Sequence, residues 1–252
     1  MRRALLLIGA LLLALARPAG AQSGDSTIII NSYDTELLVQ LDGVVDVTEI
    51  IRFEFIGKWN GILRDLSLNH NTAEGKRQKL QVEVVSVTDE RGRALRMEPE
   101  EPDGWTRRLR IYVPGAHNAE RTVVIRYRVK NALRYYFAND GEPSFDELYW
   151  NVTGNDWTMP IERATARIVL PGSARPTRMS VYTGYEGSTE RDAEVLAENE
   201  NERFDRRLGI LRGARDLGVI GQVRVGNDRL RRRPHRSARA VVEGYLGGED
   251  GR

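Results

Sequence analysis

Apolar and polar residues alternate with a period of two from Val44 to Phe55. Val45, Val47, Ile51, Phe53 and Phe55 fall on one side, and Asp46, Arg52 and Glu54 on the other. Successive side chains of a strand point to opposite faces, so this segment reads as a strand with one buried and one wet face. The preceding run, Glu36 to Leu41, leads into Asp42-Gly43, a favoured tight-turn dipeptide, and the two runs together predict a β-hairpin. Similar extended runs recur at Leu80 to Val87, Leu109 to Val113, Thr122 to Val129, Glu147 to Val152, Ala164 to Leu170 and Met179 to Thr183. Turn chemistry bounds them, as at Asp89-Glu90-Arg91-Gly92, Pro114-Gly115 and Pro171-Gly172. Seven or eight short strands with no amphipathic helix between them predict an all-β fold, an antiparallel two-sheet sandwich of immunoglobulin-like architecture.

The first 21 residues follow a different pattern. Arg2 and Arg3 precede an uninterrupted apolar stretch from Ala4 to Ala16, and Ala19-Gly20-Ala21 fits an A-x-A cleavage site. This predicts a signal peptide over 1–21, cut between Ala21 and Gln22. The 13-residue apolar run is short of the roughly 20 residues that span a bilayer as a helix. The expected location is periplasmic or extracellular, with membrane association through other parts of the protein. There is no cysteine, which excludes a disulfide scaffold, thiolate-ligated metals and a thiol nucleophile.

The net charge of +2 conceals two opposed segments. Residues 22–202 hold 22 basic and 30 acidic side chains, whereas residues 203–252 hold 13 arginines, no lysine and six acids. The domain boundaries that follow are a β-sandwich over 25–202 and an Arg/Gly-rich tail over 203–252. Lysine and arginine both neutralise phosphate, so an arginine-only block is an odd product of selection for a cationic patch. A GC-rich coding region read in the wrong frame yields such a stretch. The tail is therefore expected to be disordered, irregular or frameshift-derived, with contact to anionic lipid as its other reading.

Three segments carry a family resemblance. They are Asp42-Gly43 with Val47-Thr48-Glu49, the run Phe55-Ile56-Gly57-Lys58-Trp59-Asn60-Gly61-Ile62-Leu63-Arg64-Asp65, and above all Glu147-Leu148-Tyr149-Trp150-Asn151-Val152-Thr153-Gly154-Asn155-Asp156-Trp157-Thr158-Met159-Pro160-Ile161-Glu162. Over about 27–200 the chain resembles the amino-terminal domain of the "domain of unknown function 2207" membrane-protein family, and it departs from that family after about residue 203. The resemblance implies a β domain outside the cytoplasm, ahead of transmembrane helices. It implies no catalytic or ligand residue, because the family's activity is unknown.

Candidate chemistry is sparse. Asp140, Glu142, Asp146 and Glu147 form an acidic stretch whose oxygens are of the kind that bind Ca²⁺, but the spacing does not match an EF-hand, and a solvated turn is the expected state. His70 and His117 lie in polar surroundings and His235 in the tail. No nucleophile elbow, H-E-x-x-H motif or phosphate-cradling glycine loop occurs. Tyr135, Tyr136, Tyr149, Trp150 and Trp157 crowd together in sequence. Alternation places Trp150 toward the core and Trp157 in a loop. Trp150, Asn151, Asp156 and Trp157 are thus expected to build a structural corner, or alternatively a recognition surface. The reading is a non-catalytic binding or sensing module with no cofactor, a cell-envelope or membrane partner, and no nucleic acid on the folded domain. A carboxylate-dependent hydrolase, for example carbohydrate-active, and an architectural spacer are the alternatives.

Overall fold

Gly43 turns the chain with φ 81°. The turn closes through Gly43 N–H donating to the Gln40 carbonyl and Gln40 N–H to the Val44 carbonyl. The strands it joins, β1 (Thr27–Val39) and β2 (Val45–Lys58), pair antiparallel with Leu37 opposite Val47. The expected hairpin is present and longer than the alternation alone indicated. This computed structural model describes residues 26–72, 75–138, 143–155, 157–171, 174 and 176–183, and the backbone of 184, 193–198, 218–226 and 238–244. The signal segment 1–21, Asp140, Glu142, Asp156 and His235 lie outside the described residues.

The described chain continues through β3 (Gly61–Ser67), β4 (Asn69–Asn71), β5 (Arg77–Lys79), β6 (Gln81–Asp89), β7 (Met97–Glu100) and β8 (Thr106–Tyr112). It then forms β9 (His117–Lys130), β10 (Leu133–Tyr136), β11 (Phe145–Asn151), β12 (Ala164–Leu170) and β13 (Pro176–Gly184). Three more strands follow, β14 (Ala193–Glu198), β15 (Gly218–Gly226) and β16 (Ala238–Gly244). The fold is all-β, as expected. Among the described residues its strands form several hydrogen-bonded sheets: a seven-stranded sheet ordered β14-β16-β12-β1-β2-β9-β6, and sheets of four, three and two strands. Short strands such as β4, β5 and β7 are below the length at which alternation can be read; they make the two-stranded sheet and one edge of the three-stranded one.

The large sheet is antiparallel except where β1 runs parallel to β12, with Tyr33 beside Ala164. A parallel pair needs a long crossover connection, and here it brings together segments separated by ten intervening strands. The tail expected to be irregular contains two strands. The backbone of β15 lies between β11 and β13, and that of β16 between β12 and β14. Val219, Ile220, Val223 and Val225 supply β-branched residues to the first of them.

One hydrophobic cluster joins the sheets. It combines Ile51, Phe53 and Phe55 of β2 and Ile125 of β9 with Ile62 and Leu66 of β3, Leu109 and Ile111 of β8, and Leu148 of β11. The three-stranded sheet β3-β8-β7 and strand β11 therefore contribute to the same core as the seven-stranded sheet. Among the described residues no helix is long and apolar enough to cross a membrane.

Candidate functional site

Three polar side chains occupy inward positions on three strands. In β2 the buried series Val45, Val47, Ile51, Phe53 and Phe55 has Glu49 in its remaining place, with no exposed surface. In β3, Arg64 lies between buried Ile62 and Leu66. In β9, Tyr127 lies between Ile125 and Val129. The three meet. Arg64 donates from Nε to Glu49 Oε2 at 2.9 Å and from Nη2 to Oε1 at 2.7 Å, a bidentate pair, and Tyr127 Oη donates to Glu49 Oε1 at 2.7 Å. The third guanidinium nitrogen, Nη1, donates to the Asp65 carbonyl at 2.7 Å.

The surroundings of this pair are aromatic. Arg64 stands 5.7 Å from the ring centre of Tyr33 and 5.6 Å from that of Trp157. Gly154 takes the left-handed backbone at φ 76°, and a Cβ there would come within 2.2 Å of Arg64 Nη1. Glycine is thus required twice over at this position, for its backbone angle and for the close approach. Burial opposes the Arg64 charge, but the Glu49 carboxylate outweighs it and keeps the guanidinium protonated above its usual range. Burial, reinforced by Glu49, raises the Tyr127 phenol well above its ordinary value. Tyr33 is raised likewise, by burial first, although its hydroxyl makes no geometrically sound hydrogen bond to the pair.

A pH dependence follows. In the unfolded chain both phenols ionise near their ordinary value of 10.0, whereas in the fold they retain their protons beyond it. Their stabilising effect is complete below pH 10 and is lost as pH rises, because the unfolded chain then binds fewer protons. The loss reaches at most about 1.4 kcal/mol per pH unit for each tyrosine. Urea titrations are expected to give a midpoint that falls steeply above pH 10, with a shallower fall in Tyr127→Phe; equal slopes would contradict the assignment.

The three resemblance segments converge on this polar centre: Glu49 comes from the first, Arg64 and Asp65 from the second, Gly154 and Trp157 from the third. Two cavities flank it. One, of about 680 Å³, is lined mainly by Ile28, Trp59, Ile62, Ile111, Trp157 and Met159, with Lys58 and Arg110 among its polar residues. The other, of about 550 Å³, has Arg64 and Asp65 of β3, Asn69, His70 and Asn71 of β4, Arg134 of β10, and Tyr149, Trp150 and Asn151 of β11 among its lining. Asn155 borders both.

The sequence-based candidates are therefore divided. Trp150 is half-buried, packs against the core and lines the second cavity together with Asn151. Trp157 lies outside any strand but is itself a core residue, donating from Nε1 to the Thr153 carbonyl at 2.7 Å. Asn151 Oδ1 accepts from Gly154 N–H, and its Nδ2 donates to Asn155 Oδ1 at 2.6 Å, so it shapes the turn that presents Gly154.

Asp146 and Glu147 correct the expectation of a solvated turn. Both are buried strand residues of β11, and Glu147 accepts from Arg134 Nη1 at 3.3 Å and Tyr136 Oη at 3.2 Å. The acidic run changes character at Phe145, where the strand begins; Asp146 and Glu147 point to opposite faces of it, and both faces are covered there. No group of three metal-binding side chains occurs among the described residues. His70 is in β4 beside Gln78, at 3.3 Å, and burial lowers its pKa. His117 is an exposed residue at the start of β9.

The sequence reading did not place Glu49, Arg64 or Tyr127. A signal for them exists: each interrupts an apolar period-two series on its inward side.

The family model described as "Predicted membrane protein (DUF2207) N-terminal domain" matches residues 29–205. Uncharacterized protein YciQ of Escherichia coli (strain K12) is 31% identical over 185 residues, which is 70% of this chain and 28% of that protein. The chain thus spans little more than a quarter of this relative's length. Among solved structures, yeast LTA4 hydrolase in complex with Bestatin aligns with 93% of this chain and 32% of its own at 12% identity and TM-score 0.43. An M1 zinc metallopeptidase E323A mutant from Deinococcus radiodurans, bound to a Tyr-ser-ala substrate, aligns with 79% and 42% at 12% identity and TM-score 0.40. These overall likenesses are distant, and the named activities belong to those proteins.

Proposed function

Because the chain belongs to the DUF2207 family of predicted membrane proteins, matching its N-terminal domain, we propose that it is a non-catalytic ligand-binding module, exported by its signal segment and working outside the cytoplasm as part of a membrane-associated protein. The observation that carries the binding reading is the 550 Å³ cavity, within the roughly 300–1,000 Å³ of small-molecule sites. Two buried donors of its lining residues, Trp150 Nε1 and Arg134 Nε, have no hydrogen-bond partner. Leaving a buried donor unpaired costs about 1–3 kcal/mol, which a ligand acceptor would recover if rotation of the side chain turned the donor toward the cavity. Glu49 and Glu147 are each engaged by an arginine and a tyrosine hydroxyl, an arrangement suited to holding strands together rather than to moving protons.

The test is nitrogen-edited NMR of the full chain, whose four tryptophans give four indole signals. The Trp150 signal is identified by its loss in Trp150→Phe. A saturable shift of that signal on addition of a small polar probe is expected, from a panel of neutral oligosaccharide, short peptide and inorganic phosphate. An unmoved Trp150 signal across the panel would refute the binding reading.

A further inference from the structure

We infer that the cavity beside β4 and β11 receives a neutral saccharide, an inference that rests on the binding reading above and adds the chemical class of ligand. Charge is the first argument. The ionised side chains on its wall already have partners: Arg64 is paired with Glu49, Asp65 with Arg108 at 2.6 Å, and Arg134 with Glu147. His70 is disposed to stay neutral, being depressed by burial and by the nearby Arg134. A charged ligand would give up its hydration on entering and find no uncompensated charge in these pairs. A neutral polar one does not meet that cost.

The lining chemistry narrows the class. Asn69, Asn71, Asn151 and Asn155 bring side-chain amides to the wall, the last two joined to each other there, and Ser67 and Thr106 bring hydroxyls that donate to the Asn69 carbonyl and Asp103 and keep acceptor lone pairs. An amide offers donors and an acceptor in one plane, which suits sugar hydroxyls that donate and accept in turn. Tyr149 and Trp150 supply aromatic surface on the same wall, suited to the apolar C–H face of a pyranose ring. Arg134 stands 4.4 Å from the Tyr149 ring centre, which holds the tyrosine and the cation as one unit.

Chitotetraose and cellotetraose are the neutral probes, with tetra-alanine and inorganic phosphate for comparison, each titrated into the full chain while the Trp150 indole signal is followed. At least one tetrasaccharide is expected to shift that signal saturably. Asn71→Ala, at an exposed position of β4, is expected to weaken the binding tenfold or more while leaving the other indole signals in place. A shift from tetra-alanine or phosphate with neither tetrasaccharide active would overturn the saccharide inference and leave the binding reading standing. No shift from any of the four overturns both. Tetrasaccharide binding that Asn71→Ala leaves unchanged also overturns the assignment, since the sugar would then lie elsewhere.

Discussion

Glu49→Ala is expected to lower the unfolding free energy by about 3–5 kcal/mol, the cost of leaving a buried guanidinium without its counter-charge. Glu49 and Arg64 are almost wholly withdrawn from solvent, at 0% and 3% side-chain exposure, so water cannot replace the lost partner. Removing the carboxylate also strips Tyr127 of its acceptor and Arg64 of two of its hydrogen bonds. The measurement is a urea titration: the midpoint should fall with the slope unchanged, the signature of a stability change alone. Glu49→Leu combined with Arg64→Met should recover most of the loss, because apolar residues of similar volume need no charge compensation. A loss below about 1 kcal/mol for Glu49→Ala would mean that the pair does not secure the contact between β2 and β3.

Trp157→Ala is expected to cost a similar amount, about 3–5 kcal/mol, from lost packing and the cavity left behind. The ring meets Tyr33 edge-on at 6.0 Å and 75°, lies 6.1 Å from Phe53, and stands against Arg64. Trp157→Phe keeps much of that packing but loses the bond to the Thr153 carbonyl, for about 1 kcal/mol. Calorimetry on the two variants should separate these contributions, and equal losses would show that the hydrogen bond rather than the ring matters. Since Glu49 and Trp157 both act on Arg64, their combined loss should depart from the sum of the single losses.

These two residues also show where sequence reasoning reaches and where it stops. The β1–β2 hairpin was legible because Asp42-Gly43 and the period-two alternation are local and point to the same structure. Trp157 was legible as a non-strand residue following Gly154-Asn155-Asp156. Its burial was not, because the Phe53 and Tyr33 rings that cover it come from β2 and β1, more than a hundred positions earlier. Asp146 and Glu147 read as part of an acidic turn because charge dominates composition, whereas β11 is covered on both faces at these positions, which no local pattern reveals. The 550 Å³ cavity escaped for the same reason as the Glu49–Arg64–Tyr127 cluster: its wall combines β3, β4, β10 and β11, three of them too short or too mixed to be read as strands.

The sequence by itself determined the all-β class, the leading hairpin and the absence of thiol chemistry, along with the family resemblance that the profile match bears out. These follow from local pattern and composition, where each residue's neighbours in the chain supply the information. Only the tertiary structure decided how the strands would divide among sheets, that β1 would run beside β12, and that three inward polar residues would satisfy one another. An inward glutamate in one strand is an error of patterning until an arginine and a tyrosine from two others arrive within hydrogen-bonding distance, and that arrival is a property of strand pairing and register.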